Sequence, residues 1–104
     1  MKFGLSDKKI NLIKSVFQDK PEVDRVFIYG SRAKGGYKKT SDIDLAVKFK
    51  KGRKKNINKI RYELEELPVI HRIDVTDEDK IDEGEFKKEY EKTKKTFYTG
   101  TDKK

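Results

Sequence analysis

An apolar run, Val26-Phe27-Ile28-Tyr29, breaks into Gly30-Ser31, and ten residues later Asp42-Ile43-Asp44 opens a second apolar run. Nothing else in the chain limits its fold as sharply. The runs read as two strands, Val23 to Tyr29 and a second from Ile43, joined by a short polar passage. Ile43, Leu45 and Val47 then take one face, and Asp42, Asp44 and Ala46 the other. This alternation sets the Cβ atoms of the two aspartates roughly 6–7 Å apart on one surface. Gly30 lacks a Cβ and tolerates positive φ, so the backbone can come close to a phosphate oxygen there. Ser31 offers a hydroxyl, and a short helix beginning at that point would turn its N–H groups toward the same anion. The stretch therefore reads as a phosphate cradle facing a metal site. Arg32 and Lys34 are candidate phosphate partners that could equally face solvent, with Lys38 and Lys39 behind them.

A third carboxylate stands in the middle of Ile73-Asp74-Val75. Aspartate is a poor strand former and costly to bury alone, so this position asks for a metal or a cation. Val69 to Thr76 reads as a third strand, with Val69, His71, Ile73 and Val75 on one face and Ile70, Arg72 and Asp74 on the other. A pair of hard cations about 3.5–4 Å apart shields a triphosphate and activates an attacking hydroxyl, and Asp74, on a strand that could lie alongside the second, would add a third carboxylate to Asp42 and Asp44 for that pair. Each piece alone is common: Asp-x-Asp occurs in many turns, and Gly-Ser is usually a turn. The combination is much more specific.

The rest of the chain supplies scaffold. Ser6 is placed to cap a helix, Leu5 and Ile10 form a hydrophobic staple, and Ile10, Ile13, Val16 and Phe17 make its apolar stripe up to Pro21. A second helix spans about Asn56 to Leu67 and closes at Pro68. A third starts near Glu83, carries Phe86, Tyr90 and Phe97, and can give way near Thr96 to a short last strand. His71, the only histidine, reads as a core or edge residue, and Tyr29 as a packing residue that can also shape a pocket. Asp77, Glu78, Asp79 and Asp82 lack the glycine and final glutamate of a calcium loop. At 104 residues the expectation is one domain, 1–99, with a disordered basic tail over 100–104.

Composition narrows the function classes. The absence of cysteine excludes disulfides, thiolate catalysis and Cys-ligated zinc, leaving the cytoplasm as the default compartment. No apolar run is long enough to span a bilayer, and Met1-Lys2-Phe3-Gly4 lacks the apolar stretch of a secretory signal. The formal charge of +8 is matched by eight cations between residues 48 and 61, with no acidic residue among them. That stretch is either a patch for a polyanion, such as a nucleoside triphosphate or RNA, or a solvated loop.

Taken together, Tyr-Gly-Ser-Arg-Ala-x-Gly, Ser-Asp-Ile-Asp-Leu-Ala-Val and the later Asp74 resemble the minimal nucleotidyltransferases of the DNA polymerase β superfamily, over nearly the whole chain. The resemblance implies an α/β fold with a small mixed sheet flanked by helices. It also implies that Gly30 and Ser31 hold the triphosphate of ATP, that Asp42 and Asp44 bind two Mg2+ ions, and that Asp74 completes the catalytic metal site. Such proteins resemble one half of a two-gene pair whose other half is a small helical protein of the HEPN or substrate-binding type. In several pairs the nucleotidyltransferase acts as antitoxin by adenylylating a tyrosine of a HEPN toxin. Two other readings stay open: an antitoxin that neutralises by complex formation without catalysis, and an RNA-binding protein using the 48–61 patch.

Overall fold

A computed structural model describes residues 2–100. Its elements run α1 (Asp7–Gln18), β1 (Val23–Tyr29), α2 (Ser31–Lys34), β2 (Ile43–Phe49), α3 (Ile57–Glu65), β3 (Ile73–Asp77), a 3-10 turn at Glu78–Lys80, α4 (Glu85–Thr93) and β4 (Lys95–Thr99). The four strands form one mixed sheet in the order β3-β2-β1-β4, with β1 antiparallel to β2 and β4, and β2 parallel to β3. This is the α/β domain with a mixed sheet and flanking helices that the motifs implied. Among the described residues no helix is long and apolar enough to cross a membrane.

α1 begins as its sequence dictates: the Ser6 hydroxyl accepts the Lys9 N–H at 3.2 Å, and Leu5 and Ile10 are both buried. Its apolar stripe packs with Val26, Ile28, Ile43, Leu45, Val47 and α3's Ile60 and Leu64 into the main core on one face of the sheet. Each such aliphatic side chain, fully buried, is worth roughly 1.5–3 kcal/mol. At the end of α1, Lys20 is only 6% exposed, and its ammonium donates to the Val16 carbonyl at 2.6 Å and pairs with Glu63 of α3 at 2.5 Å. The other face of the sheet is covered only in part, by α4 and the 3-10 turn, around Ala46, Ile81, Tyr90 and Tyr29. That partial cover leaves the aspartate end of the sheet open.

Three expectations need correction. The third strand starts at Ile73 and not at Val69, because β2, its only neighbour in the sheet, starts at Ile43 and gives residues 69–72 nothing to pair with. The Ile43 N–H takes the Arg72 carbonyl at 2.9 Å and closes the ladder there. Outside the strand, Ile70 is 92% exposed. His71 is half-buried, its Nε2 lying 2.8 Å from the Lys39 carbonyl. α4 starts two residues later than expected, after Gly84 in a left-handed conformation at φ +138°. Phe97 is not on that helix: it lies on β4, buried in the main core, while Tyr90 packs on the opposite face. Gly100 donates its N–H to the Asp24 carbonyl at 2.8 Å. The rest of the expected tail, 101–104, lies outside the described residues.

Candidate active site

Three adjacent strands present Tyr29, Asp44 and Asp74 side by side. Tyr29 is the cross-strand partner of Asp44, and Asp44 is in register with Asp74. Asp42 stands exposed just before β2. Partial burial, together with the charges of Asp74 and then Asp42, raises the Asp44 carboxyl above its ordinary range, with Arg72 pulling the other way. Burial and the Asp44 and Asp74 carboxylates also push the Tyr29 phenol up. The cluster thus gathers carboxylates that oppose one another's ionisation, and Arg72 offsets only part of that. Asp74 has one partner in hand, the Arg72 Nε at 3.2 Å.

Gly30 sits against this cluster. Its φ of +76° and ψ of −156° are open essentially to glycine alone. A Cβ on it would stand 2.6 Å from the Asp44 Oδ2. The backbone at the head of α2 therefore lies against the central carboxylate, and Ser31 starts the single turn that follows. Lys34, at the end of that turn, pairs with Glu89 of α4 at 3.0 Å.

Arg32 is placed elsewhere than a phosphate partner would be. It is 2% exposed, and its guanidinium donates to the carbonyls of Phe3 (2.8 Å), Lys38 (3.4 Å), Lys39 (3.1 Å) and Ser41 (3.0 and 3.2 Å) while lying over the Tyr37 ring. It clamps the loop that delivers Asp42. The expected basic patch is partly committed as well: Lys55 pairs with Asp77 and Asp79, Lys48 lies 4.0 Å from Asp24, and Arg61 donates to the Val75 carbonyl.

Two features were read only in part from the sequence: Tyr29 as a residue that can shape a pocket, and Arg72 on the same face as Asp74. Tyr29 meets Phe86 and Tyr90 edge to face, with centroids 6.0 and 5.3 Å apart, and with Gly30, Asp44 and Glu89 they line a cleft of about 410 Å³. Phe86, on the helix where the spacing placed it, is 57% exposed. The other feature is Arg72 as the counter-ion of Asp74. The alternation that put Arg72 and Asp74 on one face was the signal, and the pairing holds although Arg72 stands one residue before β3.

The profile of the family described as Polymerase beta, Nucleotidyltransferase matches residues 11–103. This chain belongs to that family. The nucleotidyltransferase also resembles solved structures. One, titled a toxin-antitoxin with AMP-PNP, superposes with a TM-score of 0.67 at 22% identity, covering 88% of this chain and 73% of that one. At that identity it speaks for the fold alone. Another, from Sulfolobus solfataricus and assigned as a nucleotidyltransferase, superposes with a TM-score of 0.53 at 29% identity, covering 88% of this chain and 77% of that one. No curated protein matches the nucleotidyltransferase.

The donor set suits a hard divalent ion, since it is all carboxylate oxygen. Among the described residues, however, no three acidic or imidazole side chains already stand in coordinating positions. Asp74 must leave Arg72, and Asp42 must turn inward, for all three to serve one centre.

Proposed function

We propose that this chain is a Mg2+-dependent nucleotidyltransferase that moves the AMP of ATP to a hydroxyl on a partner protein. The observation that carries the reading is the register of Asp44 with Asp74 across β2 and β3, beside a glycine backbone that only glycine can hold so close. In this reading Asp42, Asp44 and Asp74 hold the metal, and Gly30 and Ser31 hold the triphosphate. When bound, the divalent ions shield the phosphate charge and lower the pKa of the attacking hydroxyl.

The remaining roles fall to this chain's own residues. The backbone at Gly30 and the Ser31 hydroxyl orient the β- and γ-phosphates, and Lys34 exchanges its exposed partner Glu89 for them. The nucleoside rests in the cleft walled by Tyr29 and Phe86. The acceptor oxygen forms a bond to the α-phosphorus and gives its proton to the Asp74 carboxylate. The bond from that phosphorus to the bridging oxygen breaks, and its electron pair leaves with pyrophosphate. A similar fold titled as a toxin-antitoxin with AMP-PNP supports a protein partner and an adenine nucleotide. The partner we favour is a HEPN-type toxin modified on tyrosine, with this chain as its antitoxin.

The test is transfer of label from ATP labelled at the α-phosphate to the product of the neighbouring gene, with and without Mg2+. The expected product is a partner heavier by one AMP, absent with Asp44→Ala. An unmodified partner across all four ribonucleotides, with Mg2+ or Mn2+, would refute the reading. Neutralisation of a toxic partner that survives Asp42→Ala plus Asp44→Ala would favour the non-catalytic antitoxin instead.

A further inference from the structure

β4 stands at an edge of the sheet, with β1 on one side and, among the described residues, no strand on the other. A cleft of about 600 Å³ runs between this strand and α1, lined by Lys2, by Lys14 and Gln18 of the helix, and by four consecutive residues, Thr96 to Thr99. The ladder to β1 passes over Phe97 in a bulge, so Phe97 and Tyr98 both pack toward the core while Thr96 and Thr99 are exposed. A cleft touched by all four follows the edge of the strand and not one face of it. The opposite edge is less free: there Arg61 takes the Val75 carbonyl of β3 at 3.0 Å.

We infer that β4 is a docking edge for an acidic, extended segment of a partner polypeptide, which adds to the sheet as a fifth strand. Strand addition is carried by main-chain hydrogen bonds. β4 offers its outward N–H and C=O groups along Thr-Phe-Tyr-Thr, residues that favour strands and carry no charge. The inference does not need the transfer reaction. It does place the partner near that site, because β4 meets β1 through Lys95 and Ile28, one residue from Tyr29.

Charge selects the occupant. The lining of the cleft holds two ammonium groups and no carboxylate, and Lys95 adds a third at the start of the strand. Among the described residues none of the three lysines pairs with a carboxylate. The neighbouring acids are engaged elsewhere: Asp19, next to Gln18, pairs with Lys20, and the Asp24 carboxylate lies 4.0 Å from Lys48. A second copy of this chain would bring the same lysines against these, an arrangement that like charges oppose. Single-stranded nucleic acid needs open ring faces for stacking, and Phe97 is 4% exposed while Tyr98 packs on Phe17.

Backbone amide NMR of the full chain, without nucleotide, tests the docking edge. The probe is a peptide of about eight residues alternating glutamate with valine or threonine. Its controls are the same peptide with lysine for glutamate, the acidic peptide with a central proline, and a single-stranded RNA oligomer. The expected result is that the acidic peptide shifts the amides of 95–99 and protects them from exchange. The proline version should bind roughly tenfold more weakly, because proline cannot continue a ladder. Lys2→Glu combined with Lys14→Glu should reverse the preference toward the lysine peptide, with an unchanged far-ultraviolet spectrum as the check on folding. Equal binding of the proline peptide, a footprint confined to the 50–55 loop, or RNA taking 95–99 in preference would each overturn the docking edge. So would shifts of these amides with protein concentration alone, the mark of a second copy, or an acidic peptide that leaves them unmoved.

Discussion

Replacing Gly30 by alanine separates the two demands made on that position. The conformation itself, φ +76° and ψ −156°, costs an L-residue about 1–3 kcal/mol. For a domain of this size that corresponds to a fall of roughly 5–20 °C in melting midpoint. The second demand is spatial. The new methyl would stand 2.6 Å from the Asp44 Oδ2, so the carboxylate must swing toward Asp42 and Asp74, whose charges already oppose it. Gly35 provides the control, with φ +100°, ψ 175° and nothing within 4 Å of an added Cβ. Gly35→Ala should therefore share the stability loss and keep the site. Thermal melts followed by circular dichroism give the first quantity, and nucleotidyl transfer at fixed ATP and Mg2+ the second. Gly30→Ala should lose about a hundredfold more activity than Gly35→Ala, the scale of a misplacement near 1 Å. Equal activities in the two variants would refute the argument that close approach to Asp44 is what the glycine provides.

Asp44→Asn should raise the melting midpoint at pH 7 while abolishing transfer. A carboxyl raised above its unfolded value destabilises the fold when ionised, so the gain is full above the folded pKa and fades as pH falls into the ordinary carboxylate range. Added Mg2+ should stabilise the wild-type chain and not this variant, and melts across pH with and without the ion check both statements. Arg32→Lys cannot reproduce the fork that holds four backbone carbonyls, and should cost about 2–4 kcal/mol. Hydrogen exchange should rise most at the amides of residues 38 to 42, upstream of any effect on α3.

Where a residue's role is set by its own neighbours in the chain, it was readable. The α1 cap at Ser6, the alternation of β2 and the lone Asp74 all have causes that lie within a few positions. Their structural consequences match: a capped helix, a strand whose Ile43, Leu45 and Val47 face is fully buried, and a carboxylate that meets a cation. What escaped depends on distant partners. Arg32 looked like a phosphate ligand because it follows Gly-Ser, yet the carbonyls that capture it come from Phe3 and from the loop that must fold back over it. Phe97 fits the helical spacing of Phe86 and Tyr90, but the ladder offered by β1 turns its segment into a strand. The start of β3 was misjudged because strand length is set by the neighbour, and only the sheet order reveals that β2 begins at Ile43.

The pairing pattern has a kinetic consequence. β1 and β2 join through a short antiparallel connection, whereas β2 and β3 meet in parallel only after the chain has passed through the 50–56 loop and α3. Long-separation contacts close late because loop entropy is spent before they repay it. The expected order brings Gly30 to Asp44 first and adds Asp74 last, visible as late protection of β3 amides in pulse-labelled hydrogen exchange. On the proposed reading, a chain emerging from the ribosome would carry Asp42 and Asp44 in place while still without transfer activity, and docking of the crossover that brings Asp74 would be the event that switches it on.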